Sequence, residues 1–388
     1  MLVRRPGHLL AAAVAAGLMG FAVPVGGVAA APPGTPVGGP LLASPGTVAP
    51  ARAHRLPGDL TARGWVLADL DTGAVLAARD AHGRYPPAST LKTLTALALL
   101  PRLTDRRRLV VCSNADASIE GSRVGLVPGG RYTVDVLFQA LLLMSGNDAA
   151  NALARAAGGP PRTVALMNAE AHRLQAYDTH AVTPSGLDGP GQATSAYDLA
   201  LIARAALRRA DFRRYVAQRT GVVPRVSVRY GPFQIANQNR LLYNYPGAFG
   251  VKSGFTDAAR HTFVGAAARH GRRLVVTFLH GERRPVDVWR QAAALLDWGF
   301  ALPRSTEPVG RLVDPGDPAG AAGAASITPA TTPSPAAARG GARQRAPMLP
   351  VAGVVGVTAA LAGAGTLAVR RRRRRTASRF RQPQRWGY

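Results

Sequence analysis

The chain has 388 residues and a formal net charge of +27, from 48 Lys plus Arg against 21 Asp plus Glu. A single cysteine, Cys112, excludes an internal disulfide, and the eight histidines show no metal-ligand spacing, so no metal or other cofactor is expected. The positive charge is scattered as isolated arginines plus one terminal run, without aromatic interleaving, so nucleic acid is not an expected partner.

Residues 1–30 read as a secretory signal peptide: Arg4 and Arg5 precede an apolar stretch, and Val28-Ala29-Ala30 supplies a small-residue cleavage site. Residues 31–58 are rich in Pro, Gly and Ala and read as a disordered lead-in. The stretch 65–78 reads as a β-hairpin turning at Asp71-Thr72-Gly73. Pro86-Pro87-Ala88-Ser89-Thr90-Leu91-Lys92 then opens a helix whose apolar run is 94–100. From 132 to 217 the period is helical, over 134–144, 149–157, 162–174 and 196–207, with Ser195 as an N-cap. After Gly247 the period returns to two, giving strands at 250–255, 262–268 and 273–280 and a last helix at 286–298.

Residues 304–347 read as a Pro/Ala-rich linker. Residues 348–369 carry no charge over 22 positions, enough to span a bilayer, and six arginines follow at 370–375. Positive charge stays on the cytoplasmic side, so 370–388 is expected inside and the preceding domain outside. Leu349-Pro350-Val351-Ala352-Gly353 also resembles the Leu-Pro-x-Thr-Gly sorting signal of wall-anchored proteins, without its threonine.

The folded region, 59–303, therefore has strands at both ends and helices between. The expected fold is α/β (α+β): an antiparallel sheet of about five strands covered by helices, with an inserted helical subdomain and a cleft between the two.

Two lysines in an Arg-rich chain mark that cleft. Lys92 and Lys252 are the only lysines, and lysine, unlike arginine, gives up its proton when buried. Ser89 and Lys92 stand at i and i+3, so one helical turn brings a hydroxyl beside an amine able to activate it. Ser145-Gly146-Asn147 ends the helix over 134–144 and projects short polar side chains into the cleft. Lys252-Ser253-Gly254 lies on the first late strand, where Lys252 and Gly254 share a face.

In this order the three motifs resemble the D-alanyl-D-alanine carboxypeptidases, the low-molecular-mass penicillin-binding proteins of β-lactamase-like fold. Segments 144–148, 183–188, 245–256 and 295–300 look similar too. The resemblance implies Ser89 as acylated nucleophile, Lys92 as its base and Ser145 as proton relay. It implies Asn147, Lys252, Ser253 and Gly254 as substrate-binding residues, and the backbone N–H groups of Ser89 and Phe255 as oxyanion hole. The implied substrate is the peptidoglycan pentapeptide stem, with β-lactams as covalent inhibitors. Two departures stand out: Lys-Ser-Gly where the family mostly has Lys-Thr-Gly, and Arg260 where a glycine is frequent. A transpeptidase shares the same motifs and differs in its acceptor. A class A-like β-lactamase would use a Glu-x-x-Leu-Asn base, whereas Glu170 here lies in Glu-Ala-His-Arg-Leu. A non-catalytic wall- or antibiotic-binding protein is the remaining alternative, although all three motifs are intact.

Overall fold

Apolar runs in this chain are buried on two faces where strands are long and on all sides where helices are central. The structure, a computed structural model, describes residues 36–317. The expected signal peptide, membrane span and basic tail lie outside the described residues, as does most of the linker. No helix among the described residues is long and apolar enough to cross a membrane.

The chain begins with a 3-10 turn, Pro40–Ala43, and the two-residue strand β1 (Thr47–Val48). The hairpin β2 (Gly64–Asp69) and β3 (Ala74–Arg79) follows, and a second 3-10 turn, Ala88–Leu91, runs into α1 (Lys92–Leu99). The helical block holds β4 (Leu109–Val111), α2 (Asn114–Ala117), β5 (Arg131–Thr133), α3 (Val134–Leu143), α4 (Asn147–Ala156), α5 (Pro160–Arg173), α6 (Ala196–Arg208) and α7 (Ala210–Ala217). The hairpin β6 (Thr220–Val223) and β7 (Phe233–Ala236) and the short α8 (Leu241–Asn244) lead to β8 (Ala248–Thr256), β9 (Arg260–Arg269) and β10 (Arg272–Gly281). Helix α9 (Val288–Ala301) and β11 (Gly310–Arg311) complete the described chain.

The main sheet is antiparallel in the order β1-β3-β2-β10-β9-β8, with β11 also on β3. All six residues of β2 are buried, because both faces are covered. Trp65 and Leu67 pack with Leu295, Leu296 and Trp298 of α9, whereas Val66 and Ala68 join the core of the helical subdomain. Period-two alternation thus serves two different cores. All eight residues of α1 are buried, as expected for a helix enclosed by other elements. Ser195 caps α6, its Oγ accepting from the Asp198 N–H at 3.1 Å.

Two boundaries differ from the sequence reading. Residues 36–58 were expected as disordered lead-in, but they contribute β1, and the Trp298 indole donates to the His54 carbonyl at 2.9 Å. Residues 304–317 were expected as linker, but β11 pairs with β3 at Gly310↔Val75 and Arg311↔Ala74. The sheet therefore has seven strands rather than about five. The physical reason is that an edge strand offers backbone donors and acceptors, which any extended segment can satisfy whatever its side chains. A few apolar side chains, Leu42, Val309 and Leu312, then lock the two straps down.

Leu42 is 1% exposed and lies outside the cleft. Leu42→Ala should lower stability by about 2–5 kcal/mol while leaving activity intact well below the melting temperature. A thermal melt beside an activity assay checks this, and an unchanged melt would mean that the strap is not integral to the fold.

Candidate active site

The turn that carries Ser89 is held by its neighbours rather than by its own helix. Ala88 has φ 46°, and its carbonyl oxygen would lie 2.0 Å from a Cβ placed on Gly186. Only glycine permits that approach, and Gly186 itself has φ 80°. The Thr90 hydroxyl donates to the Pro87 carbonyl at 2.6 Å, and Thr262 of β9 donates to the same oxygen at 2.9 Å. The first turn is thus bonded to the sheet as well as to the helical subdomain.

Lys92 is completely buried. Its Nζ lies 2.8 Å from Ser89 Oγ and donates to Asn147 Oδ1 at 2.7 Å and to the Ser185 carbonyl at 2.5 Å. All three partners are uncharged, so no salt bridge among the described residues retains a proton on the amine. Burial, helped by the nearby Lys252 cation and opposed by Asp148, holds Lys92 well below the ordinary lysine range. A lysine lowered in this way gives up its proton more readily, and only the deprotonated amine offers a lone pair.

Ser145 sits between α3 and α4 with φ 62°. Its Oγ is buried and has no hydrogen-bond partner among the described residues. Asn147, the first residue of α4, accepts from Lys92 through Oδ1 and donates through Nδ2 to the Glu120 carbonyl at 2.6 Å. One amide N–H of Asn147 remains for a ligand. Asp148 beside it accepts from the backbone N–H groups of Val124, Gly125 and Leu126 at 2.9–3.1 Å, fixing the opposite rim.

Strand β8 forms the other wall and is an edge of the sheet. Lys252 is 1% exposed, and burial pushes it down to about 7. Its Nζ donates to the Ser253 carbonyl at 2.7 Å. A Cβ on Gly254 would come within 2.7 Å of the Ser89 backbone nitrogen, so β8 runs directly against the turn that carries Ser89. Phe255 pairs with His261 across β8 and β9 and is half exposed at the mouth, its ring 4.6 Å from that of His261. A pocket of about 260 Å³ opens beside Ser253, with Arg240, His261, Arg283 and Trp289 in its walls.

Ser89, Lys92 and Asn147 are therefore joined by direct hydrogen bonds through Lys92. Lys252 reaches the same centre through charge, and Gly254 through backbone approach. Sequence reasoning had not assigned the Ser185 carbonyl, Gly186 or Thr262. Residues 183–188 were visible as a recognisable segment, but a backbone carbonyl leaves no signature in residue type. Arg260 has φ 54°, a left-handed position that explains why glycine suits it, and its guanidinium pairs with Glu282 at 2.8 and 2.9 Å.

Among the described residues, one group brings metal-capable side chains together: His82, Asp178 and Asp198. The 2.7 Å contact between His82 Nδ1 and Asp178 Oδ2 is a direct hydrogen bond and leaves no room for an ion between them.

Gly254→Ala should press β8 away from Ser89 and slow acylation by roughly 100-fold, with the fold retained. Labelling by a fluorescent penicillin checks this; a rate near wild type would show that the close approach is not needed.

A family profile described as D-alanyl-D-alanine carboxypeptidase matches residues 49–282. The chain is 50% identical over 260 residues to the D-alanyl-D-alanine carboxypeptidase DacB2 of Mycobacterium tuberculosis, covering 66% of this chain and 87% of that one. It is 31% identical over 246 residues to DacF of Bacillus subtilis, 62% of each. Among solved structures, a D-alanyl-D-alanine carboxypeptidase from Mycobacterium tuberculosis H37Rv superposes with TM-score 0.65 at 49% identity, covering 68% of this chain and 99% of that one. The Streptomyces K15 DD-transpeptidase superposes with TM-score 0.61 at 28% identity, covering 64% and 100%.

Proposed function

We infer that this chain, which belongs to the D-alanyl-D-alanine carboxypeptidase family, is a serine hydrolase that removes the terminal D-Ala from peptidoglycan pentapeptide stems. The observation that carries the mechanism is the 2.8 Å bond between Lys92 Nζ and Ser89 Oγ, made by a buried lysine with no carboxylate bonded to it.

Neutral Lys92 takes the Ser89 proton as Oγ attacks the carbonyl of the penultimate D-Ala. The backbone N–H groups of Ser89 and Phe255 hold the oxyanion. Ser145, whose buried hydroxyl is otherwise unpartnered, relays a proton to the departing D-Ala amine. Water then attacks the acyl-enzyme, Ser89 Oγ regains its proton, and the shortened stem leaves. Lys252 and the Ser253 hydroxyl receive the terminal carboxylate, and the remaining Asn147 amide N–H holds the stem backbone. A β-lactam enters the same route through its ring amide and remains on Ser89 as a covalent adduct. An amine in place of water would make the step a transpeptidation, and the solved K15 DD-transpeptidase shares the fold.

The same proposal places the domain outside the cytoplasmic membrane, exported by residues 1–30 and tethered by 348–369. The supporting features are Arg4 and Arg5 before the first apolar stretch and the six arginines after the second. Protease added to intact cells should remove the catalytic domain and spare residues 370–388; protection of the domain would refute the topology.

Ser89→Ala should form no adduct with fluorescent penicillin and release no D-Ala from a Lys-D-Ala-D-Ala peptide; a persistent adduct would exclude Ser89 as nucleophile. Lys92→Arg keeps the charge but cannot deprotonate, so acylation should fall by roughly 1000-fold or more. Near-normal acylation would sink the general-base role.

The pH dependence follows from the signs of the two lysine shifts. Neutral Lys92 gives kcat/KM an acid limb. Lys252 is lowered to about 7, so the free enzyme loses the carboxylate-binding charge as pH rises through that value. Lys252→Arg should abolish the alkaline limb, and a limb unchanged in that variant would assign it elsewhere.

A further inference from the structure

The loop over residues 178–194 carries the Ser185 carbonyl to Lys92, and a cluster that the acyl transfer does not use grips its base. His82 lies in the turn after β3, with Nδ1 2.7 Å from Asp178 Oδ2 and Nε2 3.0 Å from the Val37 carbonyl. A carbonyl can only accept, so Nε2 donates to it. The Nδ1 contact therefore holds a proton between imidazole and carboxyl. Asp198, in the first turn of α6, is 1% exposed, and its Oδ2 accepts from the Thr179 hydroxyl at 2.7 Å. Thr179 Oγ1 lies 2.9 Å from Thr194 Oγ1, across the two ends of the loop. Thr194 exchanges both backbone hydrogen bonds with Tyr85, at 2.8 and 2.9 Å, on the segment that leads to Ser89.

The loop itself is stiff beyond this base. Gln192 Oε1 accepts from the Val182 and Thr183 N–H groups, and its Nε2 donates to the Leu187 carbonyl at 2.6 Å. The Pro184 carbonyl accepts from Thr95 at 2.8 Å, and Asp188 accepts from Thr256 of β8 at 2.9 Å. A shift at 178–180 or 193–195 is therefore carried to Ser185 rather than absorbed on the way.

The charged groups around the cluster are few. The N-terminal strap contributes only the Val37 carbonyl. The loop contributes Asp178, the turn His82, and α6 contributes Asp198 and Tyr197, whose ring is 4.8 Å from that of His82. Arg204 of α6 and Arg311 of β11 act through charge on the Tyr197 hydroxyl, which donates to the Arg311 carbonyl at 2.8 Å. Burial, and then the Asp178 charge, push Asp198 up to about 7. Burial alone would lower His82, but its hydrogen bond to Asp178 and the Asp178 and Asp198 charges together outweigh this and raise it.

We propose that His82, Asp178 and Asp198 form a proton-holding clamp that positions Lys92: while the clamp keeps its protons it fixes both ends of the 178–194 loop and the segment before Ser89, and when it loses them the bare His82 Nδ1 and the two carboxylates, all within 4.8 Å of one another, repel and both loosen. The proposal rests on Lys92 acting as base to Ser89. The clamp residues touch neither substrate nor reacting atoms, and act through the Ser185 carbonyl and the Ser89 turn.

Both groups have folded values raised above their unfolded ones. Their stabilisation is therefore complete at low pH and lost as pH rises through the folded values. Asp198→Asn keeps the uncharged form at every pH. Full-length wild type and variant are compared from pH 5.5 to 8.5 by melting and by penicillin labelling, with the binding constant separated from the acylation rate. The melting temperature of Asp198→Asn should gain roughly 4–8 °C on wild type across that range. Its acylation rate should gain roughly tenfold, with the binding constant unchanged. Parallel melting curves and rate profiles would overturn the proposal, as would a fall in wild-type melting temperature on adding EDTA, which would reveal an ion site instead. Should Asp198→Asn fail to fold, the His82 imidazole resonance of the wild type decides: a midpoint above about 6.5 supports the clamp, and one at or below it overturns it. Absence of any wild-type adduct would refute Ser89 acylation instead, while the melting comparison would still judge the clamp.

Discussion

The rest of the structure depends on a lysine amine buried beside a serine, its proton held more loosely than an ordinary lysine's. Lys92 is buried with three neutral partners, and that arrangement exists only because three separate parts of the chain converge on one atom. The turn before α1 supplies Ser89, α4 supplies Asn147 and the 178–194 loop supplies a carbonyl, while Lys252 of β8 acts on the amine through its charge. A carboxylate bonded to Nζ would have retained the proton and removed the base. The nearest acid, Asp148, instead accepts hydrogen bonds from three backbone N–H groups of the 124–126 rim.

Two buried lysines are unfavourable as cations, and the chain sustains them through packing elsewhere. Helix α1 is buried along its whole length, and the sheet is covered on both faces. On the proposed role of Lys252, an anionic ligand would give it a partner, so the same desolvation that disfavours the free charge would favour a substrate ending in a carboxylate. Catalytic readiness and substrate preference would then have one physical origin.

Much of this was legible in the residues. The change of period from two to 3.6 and back located the hairpin, the helical block and the late strands within a few residues of their ends. The helix at 196–207 was observed as Ala196–Arg208, with Ser195 capping it. The scarcity of lysine singled out Lys92 and Lys252. The β6/β7 hairpin and the short β4/β5 pair were not anticipated, because strands of three or four residues are too short for a period to rise above the background. The straps at 36–58 and 304–317 were hidden for a related reason: their contribution to the sheet is made by backbone atoms, and their composition is that of a linker.

The sequence by itself determined the order of the three motifs, the helical turn that sets Lys92 against Ser89, and the strand alternation that turns Lys252 and Gly254 to one face. Those are local consequences of covalent geometry and helical or extended spacing. Only the tertiary structure decided what surrounds the Lys92 amine: the Ser185 carbonyl 93 residues away, the Asn147 amide 55 residues away, and the absence of a carboxylate at bonding distance among the described residues. A side-chain amine takes its chemistry from its neighbours' dipoles and from exclusion of water, and neither is encoded in the residues adjacent to it in the chain.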